Sequence, residues 1–217
     1  MLLAIDTCGA TGTVALGSWD GETLTVIAHA EVAAKTFSAQ LVPKIRELLA
    51  GHSAMVTDLQ AIVVVNGPGS FTGVRIGVSS AKGLAEALQI PVIALSRLAL
   101  LARKAGTHAA ALDAGRSEFY FGHYAGRGSE EAQEVEALMS AEEMRQYADE
   151  PIAICEAGVA WDWPAARLVT PPDAADALAA AISRLRAKDY DDVETLDGNY
   201  VRRSDAELFA RPTAGRK

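Results

Sequence analysis

The sequence predicts an α/β protein made of two halves, each a mixed β-sheet with helices packed against it. Apolar runs and helical periodicities over residues 1 to 105 follow the order βββαβαβ. Two packed layers in that order suggest the ribonuclease-H-like unit. A second series starts near Gly106 and opens as the first does, with an apolar run, an aspartate, a small-residue turn and a β-rich strand. The repetition is weak, so the second half reads as a degenerate copy. The expected domains are residues 1 to 105 and 106 to 217. No low-complexity linker separates them, which implies that the halves pack together.

Leu2-Leu3-Ala4-Ile5 is a buried run, and Thr13-Val14-Ala15-Leu16-Gly17 follows it after Gly9 and Gly12. Asp20-Gly21 marks a hairpin turn into a strand from Thr23 to Ala28. Ser38 is a candidate cap for a helix whose apolar residues Leu41, Ile45, Leu48 and Leu49 fall at i, i+4, i+7 and i+8. That helix stops at Gly51. Ala61 to Val65 is apolar throughout and predicts a strand covered on both faces. A helix from about Thr72 to Leu88 and the strand Val92-Ile93-Ala94-Leu95 complete the first half. In the second, Ala109 to Asp113 and Glu118 to Tyr124 predict a strand–turn–strand. Ser140 to Ala148 and Asp173 to Ala187 predict helices with N-caps, and Pro171-Pro172 breaks the chain before the later one.

Half of the 217 residues are hydrophobic but only 6% are aromatic, so the core must be aliphatic. No apolar run approaches the roughly 18 residues of a membrane span, and Met1-Leu2-Leu3-Ala4-Ile5 is too short for a signal peptide. Cys8 and Cys155 have no metal-ligand spacing, and a reduced cytoplasmic chain is expected. The net charge of −8 is uneven. Residues 1 to 105 carry 8 basic and 7 acidic side chains, and residues 106 to 217 carry 12 and 21. An acidic chain is a poor stand-alone binder of nucleic acid, because phosphate neutralisation supplies most of that affinity. Arg202, Arg203, Arg211, Arg216 and Lys217 cluster near the C-terminus; the last three read as a solvated tail.

The run Asn66-Gly67-Pro68-Gly69-Ser70-Phe71-Thr72-Gly73-Val74-Arg75-Ile76-Gly77 joins the buried strand to the long helix. Such a turn offers free N–H groups at a helix N-terminus, where an anion can sit. It matches neither common phosphate fingerprint. No lysine occurs between Ala61 and Ser80, and Gly67, Gly69 and Gly73 are one residue too widely spaced for G-x-G-x-x-G. The alternative is a tight turn that lets helix and sheet pack closely. Along the helix, Gly73, Gly77, Ala81 and Ala85 repeat every four residues. This small-residue ridge admits either another helix or the chain's own sheet.

The stretch Gly67 to Gly77, followed by Ala81-Lys82-Gly83-Leu84-Ala85 and Ile90-Pro91-Val92, resembles the bacterial TsaB (YeaZ) family. Leu3-Ala4-Ile5-Asp6-Thr7 with Thr13-Val14-Ala15-Leu16 is similar to that family's opening hairpin. Asp113-Ala114-Gly115-Arg116-Ser117-Glu118-Phe119-Tyr120 is similar to its mid-chain segment, and Asn199-Tyr200-Val201-Arg202 to its late Tyr-Leu-Arg element. The resemblance implies a non-catalytic subunit of tRNA threonylcarbamoyladenosine synthesis that binds the transferase TsaD and supports TsaE. It implies a homodimer when TsaD is absent, contact with tRNA only through the complex, and no cofactor. It also implies that the two N-terminal helices form the partner surface, with Leu41, Ile45, Gly73, Gly77, Ala81 and Ala85 as candidate contacts.

The same resemblance places the chain in the superfamily of actin, sugar kinases and heat-shock ATPases. There, paired Asp-bearing turns flank nucleotide phosphates and a magnesium ion. Asp6-Thr7 and Asp113-Ala114-Gly115 occupy the matching places, but Cys8-Gly9-Ala10 lacks the usual donors and the late adenosine turn is reduced to Glu156-Ala157-Gly158. The turns therefore read as vestigial. The catalytic paralogue TsaD carries a His-x-x-x-His pair where this chain has Ser96-Arg97-Leu98-Ala99-Leu100-Leu101, which offers no imidazole. His29, His52, His108 and His123 are scattered, without i, i+3 or i+4 pairing. His108 and His123 read as ordinary hydrogen-bonded residues, and Tyr120, Phe121 and Tyr124 as core and edge packing. A nucleotide-dependent enzyme of the kinase superfamily and a protease are the alternative functions. The second needs a nucleophile and base that no Ser or Cys context supplies.

Overall fold

The first sheet of the computed structural model is built from β1 (Leu2–Asp6), β2 (Gly12–Trp19), β3 (Leu24–Val32), β4 (Ala61–Val65) and β5 (Val92–Leu95), in the order β3-β2-β1-β4-β5. The structure describes residues 1–33, 36–124, 133–147, 149–156 and 163–201. β1 pairs antiparallel with β2, β2 with β3, and the pairs β1–β4 and β4–β5 are parallel. Every residue of β1 and β4 is buried, as continuous apolar strands at the middle of a sheet require. α1 (Phe37–Gly51) packs on β2 and β3, and α2 (Phe71–Leu88) on β1, β4 and β5.

Helix α1 begins one residue before Ser38, because Phe37 enters the core. Ser38 is thus an exposed first-turn residue and not the cap; Thr36 holds that place, but its Oγ1 donates back to the Ala33 carbonyl at 2.7 Å and caps no helix N–H. Leu41, Ile45 and Leu49 line the buried face as expected. α2 is capped by Ser70, whose Oγ accepts the Gly73 N–H at 3.3 Å. One helix was not anticipated. Ser96 caps α3 (Arg97–Ala105), accepting the N–H groups of Leu98 and Ala99. The Arg97-to-Leu101 stretch that offered no metal ligand is therefore a helix with Leu98, Leu101 and Ala102 at zero exposure.

The second sheet repeats the first. β6 (Ala109–Gly115), β7 (Glu118–Tyr124), β8 (Gln133–Ser140), β9 (Ile152–Ile154) and β10 (Ala166–Leu168) lie in the order β10-β9-β6-β7-β8. β6 pairs antiparallel with β7, β7 with β8, and β6–β9 and β9–β10 are parallel. The order and sense match strand for strand, so the protein is an α/β fold of two similar sheet-containing halves. α3 packs on β6, β7 and β9. α4 (Ala141–Met144), a single turn with a Ser140–Glu143 capping box, is shorter than expected and runs into a tighter turn at Arg145–Tyr147.

The last helical stretch divides into α5 (Ala174–Ala180) and α6 (Ile182–Ala187), with Asp173 as N-cap and Asp176 completing the capping box. α5 returns to the first sheet and packs across β1, β2, β3 and β4. Ala174, Ala177, Leu178, Ala181 and Leu185 belong to the first core, with Leu196. The Glu136 carboxylate ties the halves together. It accepts from Tyr124 at 2.5 Å, and from Ser96 Oγ and Asn199 Nδ2.

The small-residue ridge is used within the chain. Ala81 and Ala85 are 0% and 1% exposed, and a Cβ added to Gly73 would fall 1.9 Å from the Thr7 carbonyl oxygen. One on Gly77 would meet the Thr7 hydroxyl at 2.4 Å. Leu41 and Ile45 are likewise buried. The six candidate contacts therefore face the protein's own core, because α2 lies so close to β1 that only small side chains fit between them. Val74 and Val78 are buried as well, leaving Phe71, Arg75, Ser79, Gly83, Glu86 and Ala87 outward.

Ala81→Arg should accordingly destabilise the monomer, since overpacking costs about 1–3 kcal/mol and a buried unpaired charge more. Equilibrium denaturation followed by circular dichroism measures it. A midpoint equal to that of the parent chain would mean that this face of α2 is not buried.

Candidate functional site

Between the two sheets lies a cleft of about 1080 Å³, lined by the β1–β2 turn, the start of α2, α3, the end of β6 and the segment before α5. Its first wall follows from the glycine run. Gly69, at φ +158°, lies against the β1–β2 turn, and a Cβ there would stand 2.3 Å from the Cys8 carbonyl oxygen. The next residue, Ser70, donates its N–H to that same oxygen at 2.8 Å. Gly73 then brings the first turn of α2 onto Thr7. The Thr7 Oγ1 donates to the Gly73 carbonyl at 2.6 Å, in a buried bond. Asn199 closes the far side of the glycine run by donating its N–H to the Asn66 carbonyl at 2.7 Å.

Of the four residues expected in vestigial nucleotide turns, only Asp113 lines the cleft. Asp6 is 3% exposed, and its Oδ1 accepts the Cys8 N–H at 2.8 Å. Thr7 is fully buried and committed to Gly73. Asp113 does line the cleft, with its Oδ1 on the Gly115 N–H at 2.8 Å and its own N–H donated to Glu156 Oε2 at 2.7 Å. Gly115 makes the turn at φ +78°. Ala157 and Gly158 lie outside the described residues, as do Arg202, Arg203, Arg211, Arg216 and Lys217. Among the described residues, no group of three His, Cys, Asp or Glu side chains could hold a metal ion.

The cleft has a charge pattern that sequence reading missed. Glu31, Asp113, Glu156 and Asp173 line it, with Arg97 and His29 as the basic residues. Burial pushes the Asp6 carboxyl up, and the positive field of Arg97 opposes it. Burial likewise raises Glu156, against the Asp113 N–H and Arg97. Arg97 is 8% exposed, and its Nε has no hydrogen-bond partner among the described residues. A signal was available, since Arg97 is the one charged residue in Val92 to Ala102. A charge in so apolar a stretch stays buried only where something answers it.

The remaining candidates have structural roles. Cys8 Sγ donates to the Val65 carbonyl at 3.2 Å, and burial holds the thiol well above its usual range. Burial also pushes Cys155 up to about 11, so neither sulfur is a thiolate nucleophile near neutrality. His123 meets Glu150 at 2.9 Å, an acid that sequence proximity did not reveal. His108 Nδ1 lies 3.3 Å from the Tyr124 carbonyl. Phe121 and Tyr124 are buried and Tyr120 half-buried, as core and edge packing requires. Desolvation and the Glu136 charge hold the Tyr124 hydroxyl far above its ordinary range, so it stays protonated and donates to Glu136.

Known proteins share this arrangement. The family model described as "TsaD: tRNA N6-adenosine threonylcarbamoyltransferase" matches residues 28–158, more than half of the chain. The tRNA threonylcarbamoyladenosine biosynthesis protein TsaB of Escherichia coli is 35% identical over 176 residues, which cover 75% of this chain and 73% of that protein. The TsaB protein of Bacillus subtilis is 43% identical over 129 residues, 57% of this chain and 54% of its own length. A Pseudomonas aeruginosa protein described as similar to peptidase YEAZ superposes with a TM-score of 0.71 at 29% identity, covering 93% of this chain and 99% of that one. A second structure, YeaZ from the same organism, gives 0.69 at 28%. With the glycine run, the opening hairpin and the doubled sheet all in place, the chain belongs to the TsaB (YeaZ) family of tRNA threonylcarbamoyladenosine biosynthesis proteins.

Proposed function

We propose that this protein is the non-catalytic subunit that binds and stabilises TsaD, the enzyme that transfers threonylcarbamoyl onto the adenosine 3′ of certain tRNA anticodons, and that it supports recruitment of TsaE. Membership of the TsaB family carries this reading. The chemistry of α3 supports it. Where TsaD has its two imidazoles, this chain has the Ser96 cap and a helix whose Arg97 and Leu101 are buried. Neither a guanidinium nor an alkyl chain is a metal ligand. The matching order of the two sheets supports a duplicated ribonuclease-H-like unit, degenerate in its second half, where β9 and β10 have three residues each. The acidic balance favours contact with tRNA only through the complex. No described helix is long and apolar enough to cross a membrane, in keeping with a cytoplasmic subunit.

The partner surface is the outer side of α1 and α2. Val42 and Phe71 are each 46% exposed there. Ser79, Gly83 and Ala87 make an outward ridge of small residues at i, i+4 and i+8. A Cβ on Gly83 would meet nothing within 4 Å. Glycine inside a helix costs roughly 0.5–1 kcal/mol relative to alanine, and nothing among the described residues requires it at position 83. A second helix seated on the ridge would, whether from TsaD or from another copy in a homodimer.

Gly83→Arg should leave the thermal midpoint of the monomer within a few degrees of the parent while abolishing co-purification with TsaD and self-association. A folded variant that still captured TsaD with undiminished affinity would place the partner elsewhere. In reconstitution with the threonylcarbamoyl adenylate and tRNA, the chain alone should give no modified adenosine, and adding TsaD should restore the product. Product formed without TsaD at the rate of the full mixture would overturn the non-catalytic reading.

A further inference from the structure

We propose that the cleft between the sheets is a binding site for a small molecule with a singly charged oxyanion head, a carboxylate or a phosphoryl group, held by Arg97. The argument begins with the guanidinium. Arg97 is 92% withdrawn from solvent on the cleft wall, its Nε lacks a hydrogen-bond partner, and it forms no ion pair among the described residues. The Nε is closed off inside the wall, so the part of this buried, unpaired guanidinium that a ligand in the cleft would meet is its terminal nitrogens. Guanidinium donors are fixed in a planar fork that matches two oxygens of a carboxylate or phosphoryl group.

Two features of the same wall fix the position of that fork and extend it. The guanidinium end lies against the β1–β2 turn, where a Cβ on Gly9 would fall 2.8 Å from an Arg97 terminal nitrogen. The eighteen-residue helix α2 starts beside it. Ser70 satisfies the Gly73 N–H, while those of Phe71 and Thr72, in the first turn, have no intrahelical acceptor. The opposite walls decide the rest of the ligand. Glu31, Asp113, Glu156 and Asp173 oppose a multiply charged anion and favour a remainder that is cationic or rich in hydrogen-bond donors. The fitting ligand is therefore closer to a zwitterion than to a polyphosphate. This site is separate from the outer faces of α1 and α2, so it stands or falls independently of the TsaD reading.

The test follows the Arg97 Nε–H resonance of the full chain by NMR, identified by its loss in Arg97→Lys. The probes are acetate, inorganic phosphate and γ-aminobutyrate, each titrated at constant ionic strength. The resonance should move saturably, and γ-aminobutyrate should half-saturate at a several-fold lower concentration than acetate. A response to phosphate but not to the carboxylates would assign the head group as phosphoryl. Gly9→Ala is the second variant. Its methyl would crowd the Arg97 terminal nitrogen at 2.8 Å and the Thr11 carbonyl oxygen at 3.2 Å, so its melting is measured beside the parent's, and with the fold retained it should bind at least tenfold more weakly. No saturable shift with any probe, or binding by Gly9→Ala equal to the parent, would overturn the site. Acetate binding as tightly as γ-aminobutyrate would overturn the zwitterion assignment.

Discussion

The close approach of α2 to β1 sets the geometry on which the other features depend. The Thr7 hydroxyl donates to the Gly73 carbonyl at 2.6 Å, and the Thr7 carbonyl oxygen occupies the space that a Gly73 side chain would need. Two backbones can lie this near only where no Cβ intervenes. Because the helix starts there, Ser70 can cap it and the N–H of Ser70 can bond Cys8. The β1–β2 turn and the first turn of α2 then form one continuous wall. Gly77 and Ala81 extend the contact along the helix, which turns Ser79 and Gly83 outward.

That arrangement separates two properties that the sequence presents in one motif. The glycine run reads as a ligand loop or as a packing device, and the structure shows the packing. Gly69, Gly73 and Gly77 serve the packing. Ser70 and Thr72, with the turn at Gly9, reach the cleft. The aspartate of the first turn has moved the other way. Asp6 is buried beneath Cys8, where desolvation disfavours its charge, so it is poorly placed to hold a metal ion. Only Asp113 keeps its face to the cleft.

The strands of the first half were legible because their apolar runs are long and bounded by glycine or Asp-Gly. β9 and β10 were not, since three residues carry no readable period. α3 was hidden for a different reason: it is apolar on most of its circumference, and its cap, Ser96, directly follows a strand. The buried ridge on α2 was legible as a ridge but not in its direction. Periodicity gives the spacing of Gly73, Gly77, Ala81 and Ala85, while which neighbour they meet depends on β1, far away in sequence. Arg97 was visible as an oddity, but the cleft around it is assembled from eight other stretches of the chain and has no sequence signature.

The return of α5 to the first sheet has a consequence for synthesis on the ribosome. β1 to β5 are complete once residue 95 is made, yet Ala174, Ala177 and Leu178, which cover them, follow after an entire second sheet. At about 5–20 residues per second, the first sheet waits on the order of several seconds to ten or more with one apolar face uncovered. During that interval it is a nascent chain with a sticky surface, and long-range closure of this kind is intrinsically slow. A holdase or an early partner that shielded the β1–β4 face would cover, for that interval, the surface that α5 covers in the finished chain.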